Sequence, residues 1–252
     1  PPALQQALQH AARLEAATLG HFNPAIGALV RRWGFHADEL KPGRAPSAAA
    51  LERWQRSRPS LAHLQWQGLR VRSTHPALQV DLGAYAKGLA ADLALRLLQA
   101  AGARGAVVDL GGNLALRGDA GGRPWQVGLR DPERDGLIGQ LAAGPHEAVV
   151  TSGSYERFRV VDGQACSHLL DPFTGQPARE LVSATVVHAD AALADAAATA
   201  LAVAGDRWRE LAARLSLDQA LVVHRSGLAE ATPRLAARLQ LAPAWRTALR
   251  VV

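Results

Sequence analysis

Methionine is absent from the 252 residues, and only two of the 28 basic residues are lysines, Lys41 and Lys87. With no methionine at its start, the chain is expected to be part of a longer translation product. A single cysteine, Cys166, excludes an internal disulfide, so cysteine usage leaves the redox compartment open. No apolar run approaches the roughly 18 to 20 residues needed to cross a bilayer. The most apolar stretch, 191–205, is interrupted by Asp195 and Thr199. No Gly-x-Gly-x-x-Gly follows a predicted strand, which argues against a generic oxidoreductase. Ser152 and Ser154 lie outside any Gly-x-Ser-x-Gly elbow, which argues against a serine hydrolase. The sequence has no internal repeat or low-complexity tract, and a signal or lipid-anchor segment removed ahead of Pro1 is compatible with it.

What is present describes a globular chain, 48% hydrophobic and 20% charged. The formal charge of +6 and pI near 10.6 raise the question of nucleic acid. The arginines, however, are scattered singly or in pairs, as at Arg31 and Arg32 or Arg207 and Arg209, with no interleaved aromatics. No nucleic-acid partner is expected, and a mildly positive field suits an anionic small molecule equally well.

Periodicity predicts helices over 3–17, from the Asn23-Pro24 turn to Arg32, and from a Ser47 cap through Trp54. A strand pair is expected around Gln67-Gly68, then strand 78–82, helix 84–101, strand 105–110 and strand 113–117. Short strands follow to His188, with a hairpin at Asp162-Gly163. Beyond them come helices 190–204 and 206–215, strand 219–224 and a last helix near 232–239. Helices and strands mix without strict alternation, so the expected class is α+β, with mixed or antiparallel sheets and packed helices in one domain spanning 1–252.

Four stretches could carry chemistry. Asp81-Leu-Gly-Ala-Tyr-Ala-Lys87-Gly88 marks a junction into a helix whose first N–H groups suit an anion. Lys87 in the first turn opposes the helix dipole unless an anion is bound; otherwise it is an exposed lysine on an ordinary turn. Leu110-Gly111-Gly112-Asn113 permits close approach of a flat or phosphorylated ligand, or merely a tight β connection. Thr151-Ser-Gly-Ser-Tyr155 precedes His168 at a strand end, before the polar turn Asp171-Pro-Phe-Thr-Gly175. Asp195 and Thr199, four apart on an alanine-rich helix, share a face and offer oxygens suited to Mg²⁺. The bland alternative is that Thr199 bonds back to its own helix while Asp195 caps it internally.

Taken in order, and together with Gly20-His-Phe22-Asn23-Pro24 through Trp33-Gly-Phe35, these stretches resemble the ApbE family of FAD:protein FMN transferases over residues 20 to about 204. The resemblance implies a T-fold-like domain that binds FAD with Mg²⁺ and moves FMN onto a threonine or serine hydroxyl of a target protein, releasing AMP. Some relatives instead hydrolyse FAD to FMN and AMP, and a non-catalytic flavin-binding role is a third reading. Metal ligation falls on Asp195, Thr199 and the Ala84 carbonyl, and flavin-nucleotide contacts on Phe22, Asn23, Asp81, Lys87, Gly111, Gly112 and Leu169. His168 becomes the candidate base for the acceptor hydroxyl. The implied client belongs to a membrane-bound flavin redox complex on the outer, periplasmic side of a bacterial inner membrane. The family's opening strand segment is not found ahead of Pro1, Asn23 stands where aspartate is commoner, and Ala198 replaces an acid often found before the threonine.

Overall fold

A computed structural model describes all 252 residues. The chain opens with helices α1 (Pro2–Ala17), α2 (Gly27–Arg32) and α3 (Ala48–Ser57). Ser47 caps α3 as expected, its side chain accepting from the Ala50 N–H at 3.3 Å. A hairpin of β1 (Leu64–Gln67) and β2 (Arg70–Ser73) leads to α4 (Ala86–Ala100). Then come β3 (Ala106–Leu110), β4 (Asn113–Arg117), β5 (Trp125–Arg130), β6 (Leu137–Ala143), β7 (His146–Gly153), β8 (Phe158–Val161), β9 (Gln164–Ser167) and β10 (Leu181–His188). The alanine-rich α5 (Ala191–Ala204) and α6 (Trp208–Arg214) follow, then β11 (Ala220–His224), β12 (Ala229–Ala231), α7 (Pro233–Ala236), β13 (Leu239–Leu241) and β14 (Leu249–Val251).

A seven-stranded sheet in the order β14-β12-β11-β10-β7-β4-β3 is the backbone of the architecture. Its pairings are antiparallel except for β12 with β14. Helices α4, α5 and α6 cover one face, and the small sheet β13-β6-β5 covers the other. This double covering explains why β10 is buried along nearly its whole length rather than in alternation. Ala184 and Val186 enter the helical core, while Val182 and Val187 enter the other. A third cluster joins α2 and α3 to the β8–β9 hairpin through Leu29, Trp33, Trp54 and Val161.

The α+β expectation stands, and so does the Asp162-Gly163 hairpin, where both residues take positive φ as a two-residue turn requires. Two local expectations do not. Residues 78–82 form no sheet strand. They lie along the 24–27 turn, with Gly27 N–H donating to Gln79 O and Asp81 N–H to Pro24 O, both at 2.8 Å. The predicted helix near 232–239 is only Pro233–Ala236, and strands β13 and β14 beyond it went unread, since three residues carry no usable periodicity.

Candidate functional site

A cavity of about 440 Å³ opens where the 22–35 segment, the start of α4, the end of β7, the His168 turn and the middle of α5 meet. That volume lies within the usual range of small-molecule sites. A slightly larger hollow of about 480 Å³ lies beside Arg179, Glu180 and Gly205. Its Glu180 is already spent on the Asp206 N–H at 2.8 Å, so chemistry rather than size selects the first.

The floor is built by α5. Its alanines permit α4 to come so close that a Cβ on Gly88 would sit 2.1 Å from the Ala191 carbonyl oxygen. This contact lets the Gly88 N–H reach Asp195 Oδ2 at 3.0 Å instead of the carbonyl four residues back. The Ala84 carbonyl is thereby left without a hydrogen-bond donor. Asp195 is 2% exposed, and its other oxygen accepts from Asn113 Nδ2 at 2.9 Å. Burial raises the Asp195 carboxyl above the ordinary carboxylate range, against the opposing pull of Lys87, Gly88 and Asn113. No salt bridge compensates it. Thr199 does not bond back to its own helix; its hydroxyl shares a 2.9 Å hydrogen bond with Ser152.

These groups fit a hard divalent cation. A buried carboxylate in no salt bridge, two hydroxyls and an undonated carbonyl supply only oxygen, and a single carboxylate ligand suits Mg²⁺, which takes its other ligands from water and phosphate. No cluster of three His, Cys, Asp or Glu that could hold a metal is found.

Across the cavity stands His168. Its Nδ1 lies 2.9 Å from the Arg157 carbonyl, an acceptor only, so Nδ1 carries the proton and Nε2 keeps its lone pair with no protein partner. Burial holds the imidazole below its ordinary value, with the charges of Lys87 and Arg157 adding to the shift and the hydrogen bond to the Arg157 carbonyl and the charge of Asp81 opposing it. The turn after His168 is pinned from outside by Trp33 Nε1 to Gly175 O at 2.7 Å and Trp54 Nε1 to Pro172 O at 2.8 Å. Lys87 sits in the first turn of α4, lines the cavity and pairs with no acid.

Of the residues expected at the site, Phe22, Asn23, Asp81, Ala84, Lys87, His168, Leu169, Asp195 and Thr199 all line this cavity. Several are already engaged. Asn23 donates to Pro59 O at 2.9 Å and accepts from Ala25 N at 2.7 Å, a pairing that aspartate could only half reproduce. Asp81 Oδ1 accepts from Gly83 N at 2.8 Å, and Phe22 is 2% exposed in the core. Gly111 and Gly112 are not brought in: they form the β3–β4 turn, and their φ values of +64° and +86° explain the glycines. The reading of single residues missed Asn113, Ser152, Glu156 and Arg157. The first two lie inside the stretches singled out above, but their partners are 82 and 47 positions away along the chain.

Residues 1–222 match the ApbE family. The chain belongs to that family. It is 44% identical over 240 residues to an FAD:protein FMN transferase of Rhodobacter capsulatus, a match covering 95% of this chain and 46% of that relative. A Vibrio cholerae FAD:protein FMN transferase is 34% identical over 202 residues, covering 79% of this chain and 60% of the relative. The chain thus spans between about half and three fifths of these two curated relatives. The crystal structure of the ApbE protein of Thermotoga maritima superposes with a TM-score of 0.86 at 31% identity, over 94% of this chain and 78% of that one. The apo flavinyl transferase ApbE of Pseudomonas stutzeri gives 0.80 at 28%, over 96% and 76%. No helix here is long and apolar enough to cross a membrane.

Proposed function

We propose that this ApbE-family chain transfers the FMN moiety of FAD to a threonine or serine hydroxyl of a target protein, with Mg²⁺ as the required ion. The observation that carries the reading is one cavity holding a buried Asp195 in no salt bridge and an undonated Ala84 carbonyl together with His168, whose Nδ1 faces the Arg157 carbonyl and whose Nε2 has no protein partner. Asp195, Thr199 and the Ala84 carbonyl would hold the ion. When bound, it would neutralise pyrophosphate charge and improve AMP as a leaving group.

The remaining work falls to the chain itself. Lys87, at the helix start, takes a phosphate oxygen, which resolves its conflict with the dipole. His168 Nε2 accepts the proton of the acceptor hydroxyl. The hydroxyl oxygen forms a bond to the phosphorus on the riboflavin side, the bond from that phosphorus to the bridging oxygen breaks, and AMP departs with its electron pair. The acceptor is read as a client of a membrane-bound flavin redox complex facing the periplasm, a reading that rests on family resemblance alone.

The test is incubation with FAD, Mg²⁺ and a client peptide, followed by mass spectrometry. An FMN phosphoester on the peptide, lost in Asp195→Ala, is the expected result. AMP and free FMN without any adduct would point to FAD hydrolysis instead.

A further inference from the structure

The Leu110-Gly-Gly-Asn113 stretch has only its turn explained so far. The two glycines reverse the chain, Gly112 N–H donates to Asp109 Oδ1 at 2.7 Å, and the reversal sets Asn113 as the first residue of β4, opposite Leu110. Asn113 is 2% exposed, like the Asp195 it meets. Its only side-chain hydrogen bond is the donation from Nδ2 to Asp195 Oδ1 at 2.9 Å.

We propose that Asn113 is a positioning residue for the carboxylate that binds the divalent ion. Each Asp195 oxygen receives one N–H, Oδ2 from Gly88 on α4 and Oδ1 from Asn113 on β4. With both oxygens tied to different elements, the carboxylate plane cannot rotate about its last bond. Each oxygen also keeps lone-pair capacity for a cation. Such supporting donors characteristically orient metal-binding side chains. Leucine here would fill the space but leave a buried carboxylate oxygen undonated, and serine is too short to span the gap. The glycines and the asparagine therefore form one device, a turn that delivers a donor.

This inference rests on the reading of Asp195 as an ion ligand, and the experiment separates the two. Mn²⁺ binding to the full chain, without FAD or client, is followed by electron paramagnetic resonance for the unaltered protein, Asp195→Ala, Asn113→Ala and Asn113→Ser, with melting curves alongside. The expected result is binding by the unaltered protein, its loss in Asp195→Ala, and affinity weakened about ten- to a hundredfold in both Asn113 variants while they remain folded. If Asn113→Ala does not fold, Asn113→Ser carries the comparison. Mn²⁺ affinity within twofold of the unaltered protein, whatever the melting temperature, overturns the inference and leaves the Asp195 reading intact. No Mn²⁺ binding by the unaltered protein, or equal binding in Asp195→Ala, overturns both.

Discussion

Gly88→Ala adds a single methyl group where two helices touch, and the outcome can be worked through. The new Cβ would lie 2.1 Å from Ala191 O, 2.6 Å from Ala191 C and 2.8 Å from Ala192 Cα. Ordinary carbon contacts begin near 3.5 Å, so α4 and α5 would have to separate by about 1 Å. All three obstacles are backbone, and no rotamer change relieves them. Overpacking of this kind costs about 1–3 kcal/mol, offset by up to about 1 kcal/mol because alanine favours the helix more than glycine does. At the middle of these ranges, a net loss of about 1–2 kcal/mol lowers the melting temperature by about 2–4 °C per kcal/mol in a domain of this size. The same displacement lengthens the 3.0 Å bond from Gly88 N–H to Asp195, so Mn²⁺ affinity falls with stability. Calorimetry and metal titration read both. A variant that melts at or above the parent temperature with unchanged Mn²⁺ affinity would refute the close approach and the role given to it.

Other perturbations test separate parts. His168→Gln should slow FMN transfer by about 10²- to 10⁴-fold while FAD binding persists, checked by single-turnover labelling. In the parent protein burial disfavours the imidazolium, so the base stays neutral below the ordinary 6.5 and the acid limb of the pH–rate profile should fall below that value. A midpoint above it contradicts the assignment. Trp54→Phe leaves the Pro172 carbonyl without its 2.8 Å donor and should cost about 1–3 kcal/mol in denaturant unfolding. Gly112→Ala meets no atom within 4 Å but forces a side chain to φ +86°, so it should lose about 1–2 kcal/mol through backbone strain alone.

Much of the site was legible because its chemistry sits in compact stretches. The four-residue spacing of Asp195 and Thr199, the lysine at a helix start and the histidine before a polar turn all reach one cavity. Gly111 and Gly112 misled, because a glycine pair needed for positive φ reads the same as one needed for ligand approach. Asn113 was passed over for a related reason: its importance lies in a partner on another element, and no local pattern announces a tertiary hydrogen bond. In the fold, long periodic elements such as α1 and α5 were evident. The 78–82 segment looked like a strand by composition, yet its backbone groups pair with a turn, a choice made by tertiary packing.

The most direct measurement follows AMP release and client labelling together, for the parent chain and for Asp195→Ala, with FAD, a threonine-bearing client peptide, and Mg²⁺ or excess chelator. The account predicts one FMN phosphoester on the peptide per AMP released, abolished by the chelator and by Asp195→Ala. Equal labelling with and without the ion, or in the Asp195 variant, would contradict it.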